Sequence, residues 1–180
     1  QTNLPREVLM NKIGLVAFDL DGTVLNGTGG ASELSIATLW RLLDAGIAVA
    51  SISGRSVENS QAPFDEKLRA NLFVGSYNGA IVLGSEADGP RAILLERRLA
   101  DLEFSEMVNY VSANKINFVY CRFEVDGEGV HETYMADRDS PSVQGLVTLT
   151  GRRFVYDGDL CARIQGGELG PSPKLILMPG

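Results

Sequence analysis

The chain is poor in the residues that ligate soft metals or exchange protons at neutral pH. Its 180 residues hold one histidine, His131, and two cysteines, Cys121 and Cys161. The cysteines have neither zinc-ligand nor Cys-x-x-Cys spacing, which argues against a zinc ribbon or a dithiol redox site. They read as two free, buried thiols in a reducing compartment. His131 has no cysteine or acidic partner at ligand spacing and reads as packing or surface. Long apolar runs are also missing. None approaches the roughly 18 residues of a membrane-spanning helix, and Gln1-Thr2-Asn3-Leu4-Pro5 has no signal-peptide pattern. Cytoplasm is the expected compartment, with no membrane partner. Positive charge is scarce: 16 Lys and Arg face 23 Asp and Glu, a net charge of −7. Such acidity argues against nucleic acid, whose phosphates need a basic face. It leaves room for a small phosphorylated ligand, because a nest of N–H groups and one metal ion outweigh net charge locally.

What the chain does have is an ordinary globular balance, 44% hydrophobic and 22% charged. Its length suits one domain, or one domain plus part of another. Residues 13–19 form a continuous apolar run, the pattern of a strand buried on both faces. After the loop 26–30, Ser32 is a natural N-cap for a helix that stops at Gly46. A second apolar strand covers 47–52, a helix is expected over 57–70 despite Pro63, and a third short strand over 72–75. Strand and helix in alternation predict a parallel sheet with crossovers. Beyond residue 83 the pattern changes. Strands are expected at 80–83 and 92–97 around a turn at 87–90, then a helix at 102–114 after Asp101. Strands follow at 118–125, 130–135, 145–149 and 152–155, with a hairpin turn at 126–129 and a last apolar run at 175–178. The expected division is 1–83 and 84–180. The fold class is α/β: a Rossmann-like parallel-sheet core followed by a mixed α+β region, which the family resemblance given below makes a partial core with an inserted cap domain.

The chemistry concentrates in Phe18-Asp19-Leu20-Asp21-Gly22-Thr23. Two carboxylates one residue apart sit at the end of a buried strand, where an unpaired charge is costly and where open α/β sheets place ligands. Asp19 there can act as a nucleophile, ligate a hard cation, or both. Asp21 lies where the chain leaves the strand and suits general acid–base work. Gly22 permits a turn with positive φ, and Thr23 adds a hydroxyl and an N–H. The second strand ends in Ser53-Gly54-Arg55 and runs straight into a helix, a ready anion site. A carboxylate pair beside a phosphate cradle fits phosphoryl transfer, with Mg²⁺ as the expected ion.

These segments resemble the haloacid dehalogenase (HAD) superfamily of phosphohydrolases. The run from Phe18 to Leu25 matches the first motif of that family, and Ile52-Ser53-Gly54-Arg55 matches the second, with Ser where Thr is more common. Tyr77-Asn78-Gly79-Ala80 looks like a segment of the Cof-like members, which mostly hydrolyse sugar phosphates and related phosphomonoesters. The resemblance implies that Asp19 is the nucleophile and Asp21 the acid–base, both contributing to the Mg²⁺ site. It implies that Ser53, Gly54 and Leu20 hold the phosphoryl group together with Gly22, Thr23 and Arg55, and that Asn78 lies on the substrate side. The interval between Asp19 and Ser53 holds only a loop and one helix, so a cap has to follow the second motif, as in subclass II members.

The family also needs a third-motif lysine and a fourth, acidic Mg²⁺ motif, both after such a cap. Neither is expected within this chain. Asp157-Gly158-Asp159 precedes the lysine candidate Lys174, and Lys174 itself reads as the start of a cap strand. The chain therefore reads as a partial copy, inactive by itself, of a phosphatase acting on a small phosphorylated metabolite. Two rivals are a phosphomutase or a mannose- or sucrose-type phosphosugar phosphatase, and a non-catalytic fragment binding a phospho-ligand or protein. Exposed sheet edges predict self-association.

Overall fold

A computed structural model of the protein describes residues 13–178, apart from 28, 88, 127 and 128. The chain divides into two compact units, residues 1–95 and 96–180. The first holds β1 (Leu15–Asp19), α1 (Glu33–Asp44), β2 (Ala48–Ile52), α2 (Val57–Gln61), α3 (Glu66–Asn71), β3 (Leu72–Ser76), a 3₁₀ turn (Tyr77–Gly79) and β4 (Ile81–Leu83). β5 (Ile93–Glu96) closes the same sheet, whose order is β1-β2-β3-β4-β5. Residues 84–95 therefore go with the first unit, because β5 completes its sheet.

Strands β1, β2 and β3 are parallel, in the register Asp19↔Ile52 and Ile52↔Gly75; β4 turns back antiparallel on β3. Local chemistry sets the helix limits. The Ser32 hydroxyl accepts the Ser35 N–H at 3.0 Å to open α1. Gly46 at φ 73° then takes the left-handed conformation that ends it. The single helix expected over 57–70 is two short ones. Pro63 has no N–H to continue the first, and Asp65 starts a second by accepting the Leu68 N–H at 2.8 Å. Arg91 ties the unit together from a side chain only 6% exposed. Its guanidinium donates to the carbonyls of Leu72, Gly84 and Arg69 and to Glu86.

β1 is half-buried on one face and exposed on the other, against the expectation of burial on both. Phe18 packs edge-on to the buried Phe64, ring centroids 6.2 Å apart. On the other face Leu15 is 54% exposed. There an apolar groove of about 450 Å³ runs along Leu15, Ala17, Ala50, Ile52, Phe73 and Val82. An apolar run reports what a strand could bury, not what lies over it.

The second unit contains α4 (Asp101–Ala113), β6 (Asn117–Asp126), β7 (Gly129–Ala136), α5 (Pro141–Thr150), β8 (Phe154–Tyr156), α6 (Leu160–Gln165) and β9 (Lys174–Met178). Its sheet runs β8-β7-β6-β9. β6 is antiparallel to β7 and β9, and β8 is parallel to β7. Phe104, Val108 and Val111 of α4 pack onto Phe118, Tyr120 and Met135 of the sheet and Leu160 and Ile164 of α6. The strand expected at 145–149 is part of helix α5. The Ser140 side chain caps it, Pro141 opens it, and Gly151 at φ 64° closes it. These start and stop signals override the β-leaning Leu-Val-Thr-Leu-Thr run. The central residues of the expected 126–129 turn lie outside the described residues, although β6 and β7 meet at Asp126↔Gly129.

Candidate active site

The parallel register lines up three strand ends. Asp19 closes β1 opposite Ile52, so Ser53 follows at the adjacent strand end. Ile52 lies opposite Gly75, so the Tyr77–Gly79 turn leaves the third. Sites far apart in sequence thus meet at the carboxyl edge of one sheet, where parallel sheets place their ligands.

Asp19 is exposed at that edge. Its Oδ2 accepts the Thr23 hydroxyl at 3.2 Å. The next three residues turn sharply. The Leu20 carbonyl accepts the N–H groups of Thr23, Val24 and Leu25 at 3.3, 3.2 and 2.9 Å. Gly22 makes the turn possible at φ 74°. Leu20 is anchored by a fully buried side chain, so it can offer a phosphoryl group only its backbone.

Ser53 is 4% exposed. Its N–H donates to the Gly75 carbonyl at 2.9 Å, and its Oγ accepts the Arg55 N–H at 3.2 Å. The hydroxyl proton remains for donation to an anion. The Tyr77–Gly79 turn braces this loop: Tyr77 N–H donates to the Arg55 carbonyl at 2.9 Å and Asn78 N–H to the Ser53 carbonyl at 3.1 Å. Tyr77, Asn78 and Gly79 all have positive φ, at 52°, 59° and 86°. A left-handed Tyr costs roughly 1–2 kcal/mol. Burial of its ring, 2% exposed, is worth about 1.5–3 kcal/mol and holds it there. Asn78 itself is exposed at the tip.

Arg55 differs most from the sequence reading, which placed it among phosphate contacts. Its guanidinium forks onto Asp21, with Nε to Oδ2 at 3.0 Å and Nη2 to Oδ1 at 2.5 Å. Nη1 reaches the Asn59 carbonyl at 3.4 Å. The pairing was not legible because nothing in a sequence links a turn residue of one strand end to a helix-entry residue of the next.

The donor set suits Mg²⁺. The Asp19 carboxylate and the Asp21 main-chain carbonyl are hard oxygens, and the Asp21 carboxylate is already engaged by Arg55. Among the described residues no group of three or more His, Cys, Asp or Glu could hold a metal ion. Mg²⁺ commonly takes one or two carboxylates and completes its shell with water and phosphate oxygens.

The other candidates have structural partners. Asp157 accepts the Arg163 guanidinium at 2.6 Å and the Asp159 N–H at 3.0 Å, holding the start of α6. Lys174 opens β9 opposite Cys121. His131 does have an acidic neighbour, Asp126, at 2.9 Å across the hairpin. Trp40 is half-buried beneath the Lys67 ammonium, 5.2 Å from the ring centroid. Both thiols are free: Cys121 is buried, and burial pushes its pKa up to about 12, whereas Cys161 is half-buried.

A family model described as haloacid dehalogenase-like hydrolase matches residues 16–141. A comparison with curated protein sequences finds no match. Among solved structures, a Thermotoga maritima protein is similar at 18% identity and TM-score 0.70, covering 92% of this chain and 56% of that one. A Plasmodium vivax protein described as a HAD/COF-like hydrolase is similar at 17% identity and TM-score 0.69, covering 93% and 57%. A HAD subclass IIB sugar phosphatase is similar at 13% identity and TM-score 0.62, covering 87% and 55%. The chain spans little more than half the length of these structures. With its family model matched over more than half of its residues, the chain belongs to the haloacid dehalogenase-like hydrolases.

Proposed function

We propose that the protein carrying this chain is a Mg²⁺-dependent phosphohydrolase acting on a small phosphorylated metabolite, with a sugar phosphate as the expected substrate. The observation that carries the reading is the alignment of Asp19, Ser53 and the Tyr77–Gly79 turn at one sheet edge. The sugar phosphate is favoured by the likeness to a subclass IIB sugar phosphatase and by the Asn78-Gly79-Ala80 segment.

In the first step Asp19 Oδ1 attacks phosphorus. The bond to the alcohol oxygen breaks as an aspartyl-phosphate forms, and Asp21 gives its proton to the leaving oxygen. In the second step water attacks the same phosphorus and passes a proton to Asp21, freeing Asp19 and releasing phosphate. Ser53 donates its hydroxyl to a phosphoryl oxygen, beside the backbone of Leu20 and Gly54. Thr23 keeps Asp19 oriented. The Arg55 fork holds the base form of Asp21 in place. The acid form requires release of one bond of that fork. Release is cheap, because exposed ion pairs are worth about 0–1 kcal/mol. Mg²⁺, held by Asp19 and the Asp21 carbonyl, would neutralise phosphoryl charge when bound.

The test is hydrolysis of an aryl phosphate by the full-length protein with and without Mg²⁺, beside Asp19→Asn. The variant should fold normally and lose turnover. Undiminished activity in Asp19→Asn would sink the proposal.

A further inference from the structure

We infer that the second unit carries its own phosphate-binding site, at the N-terminus of α5. A pocket of about 330 Å³ opens there, lined by Lys115, Asn117, Arg138, Ser140, Ser142 and Met178. It lies where β6 begins and β9 ends, Asn117 opposite Met178. The chain enters the unit at the other end of β9, where Leu99 N–H donates to the Ser172 carbonyl.

Two independent features point to a ligand. The first is the open turn of α5. The Ser140 Oγ accepts the Val143 N–H at 3.2 Å, and the Ser140 carbonyl accepts the Gln144 N–H at 2.8 Å. Pro141 has no N–H, so the Ser142 N–H is the donor that the helix leaves without an internal partner. The second is Asn117, 8% exposed. Its amide nitrogen donates to Ser140 Oγ at 2.5 Å, while its Oδ1 has no partner among the described residues. A buried amide oxygen left unpaired is costly. In this orientation of the amide the oxygen is the unmatched polar atom of a residue that lines the pocket.

Lys115 and Arg138 line the pocket; Arg138 is shared with Asp137, which leaves Lys115 as the cation available to an anion. Arg138 Nη2 donates to the Lys115 carbonyl at 3.1 Å. Lys115 has no ion pair among the described residues. The nearby carboxylates are committed. Asp137 accepts the Phe118 N–H and Arg138 Nε, and Asp139 accepts the Gln144 amide. An oxyanion that also carries a proton matches the set. Its hydroxyl would donate to Asn117 Oδ1 while its other oxygens accept from Ser142 and Lys115. Phosphate has that proton at neutral pH and sulfate does not. The site is independent of the proposed catalysis, although free phosphate would be the product of that reaction.

Residue-resolved ¹H–¹⁵N NMR of the 180-residue chain tests the inference. Inorganic phosphate, sulfate and glycerol phosphate are titrated separately at constant ionic strength, up to about 50 mM. The expected result is saturable shifts at the Ser142 N–H and the Asn117 side-chain amide, with phosphate at least about fivefold tighter than sulfate. Glycerol phosphate binding equally well would identify the ligand as a phosphomonoester group; its failure would restrict the site to free phosphate. Lys115→Gly, which suits the backbone at φ 54°, and Ser142→Ala should each weaken binding several-fold. Asn117→Ala should abolish it. Ser53→Ala should leave these shifts intact while removing any at the sheet edge, so the two sites fail separately. Linear shifts that are equal for phosphate and sulfate, or no response beyond a bound water on Asn117, would overturn the inference. So would saturation unaffected by Lys115→Gly.

Discussion

Replacing Arg55 by Met separates two roles that a sequence cannot distinguish. The Arg55 and Asp21 side chains are 31% and 61% exposed, so their ion pair is screened and contributes about 0–1 kcal/mol to folding. Urea unfolding followed by circular dichroism should therefore show a loss below about 1 kcal/mol. Activity should respond far more. General acid–base catalysis contributes roughly 10²–10⁴-fold, and misplacing an aligned group by an ångström can cost about 10²-fold. Aryl phosphate hydrolysis by the full-length protein should lose about 10- to 100-fold in kcat, with little change in KM. Arg55→Lys keeps the charge but loses the fork, and should fall between. In Asp21→Asn the Met substitution should have almost no further effect, because the residues act as a unit. A rise in KM with kcat preserved would make Arg55 a phosphate contact. Additivity with Asp21→Asn would refute the positioning role outright.

Other outcomes follow from the same geometry. Arg91→Met removes a buried donor from three main-chain carbonyls and should lower unfolding free energy by at least about 3 kcal/mol; a loss under about 1 kcal/mol in urea titration would show that water replaces it easily. At pH 8 a thiol reagent should label Cys161 slowly and leave Cys121 unmodified until the protein unfolds. The Cys121 thiol stays protonated in the folded state up to about 12, against 9.0 unfolded. The stability it contributes is whole below pH 9 and lost as pH rises through 12. Cys121→Val should therefore reduce the alkaline slope of stability by about 1.4 kcal/mol per pH unit, and an unchanged slope would contradict burial of the thiol. The edge strand β1 and the open apolar face beside it should drive this chain to self-associate. Light scattering should find dimers or larger at tens of micromolar, with Leu15→Lys shifting them to monomer; a monomeric parent chain would count against the role of that face.

The legible parts of the molecule are those in which one local rule decides. The strand-end motif from Phe18 to Thr23, the Ser32 cap and the Gly46 stop are all backbone events within a few residues, and the structure places them as their chemistry demands. The parallel direction of the first three strands followed from alternation with helices. The misses share a different cause. Pro63 split a helix whose apolar periodicity ran through it. Residues 145–149 are rich in β-leaning side chains, yet Ser140, Pro141 and Gly151 make them helical. Helix α6 is only six residues long, too short to show a period. The Arg55–Asp21 fork and the Asn117–Ser140 contact bridge separate elements. No spacing rule reports such contacts; they exist only once the sheet register is fixed.

In the proposed mechanism Asp19 becomes phosphorylated during turnover. The most direct test is mass spectrometry of the full-length protein, acid-quenched during turnover of a phosphomonoester with Mg²⁺ and digested. A phosphoryl adduct is expected on the peptide containing Asp19, lost on hydroxylamine treatment and absent in Asp19→Asn. Turnover without any adduct at Asp19, or an adduct on another residue that persists in Asp19→Asn, would contradict the mechanism.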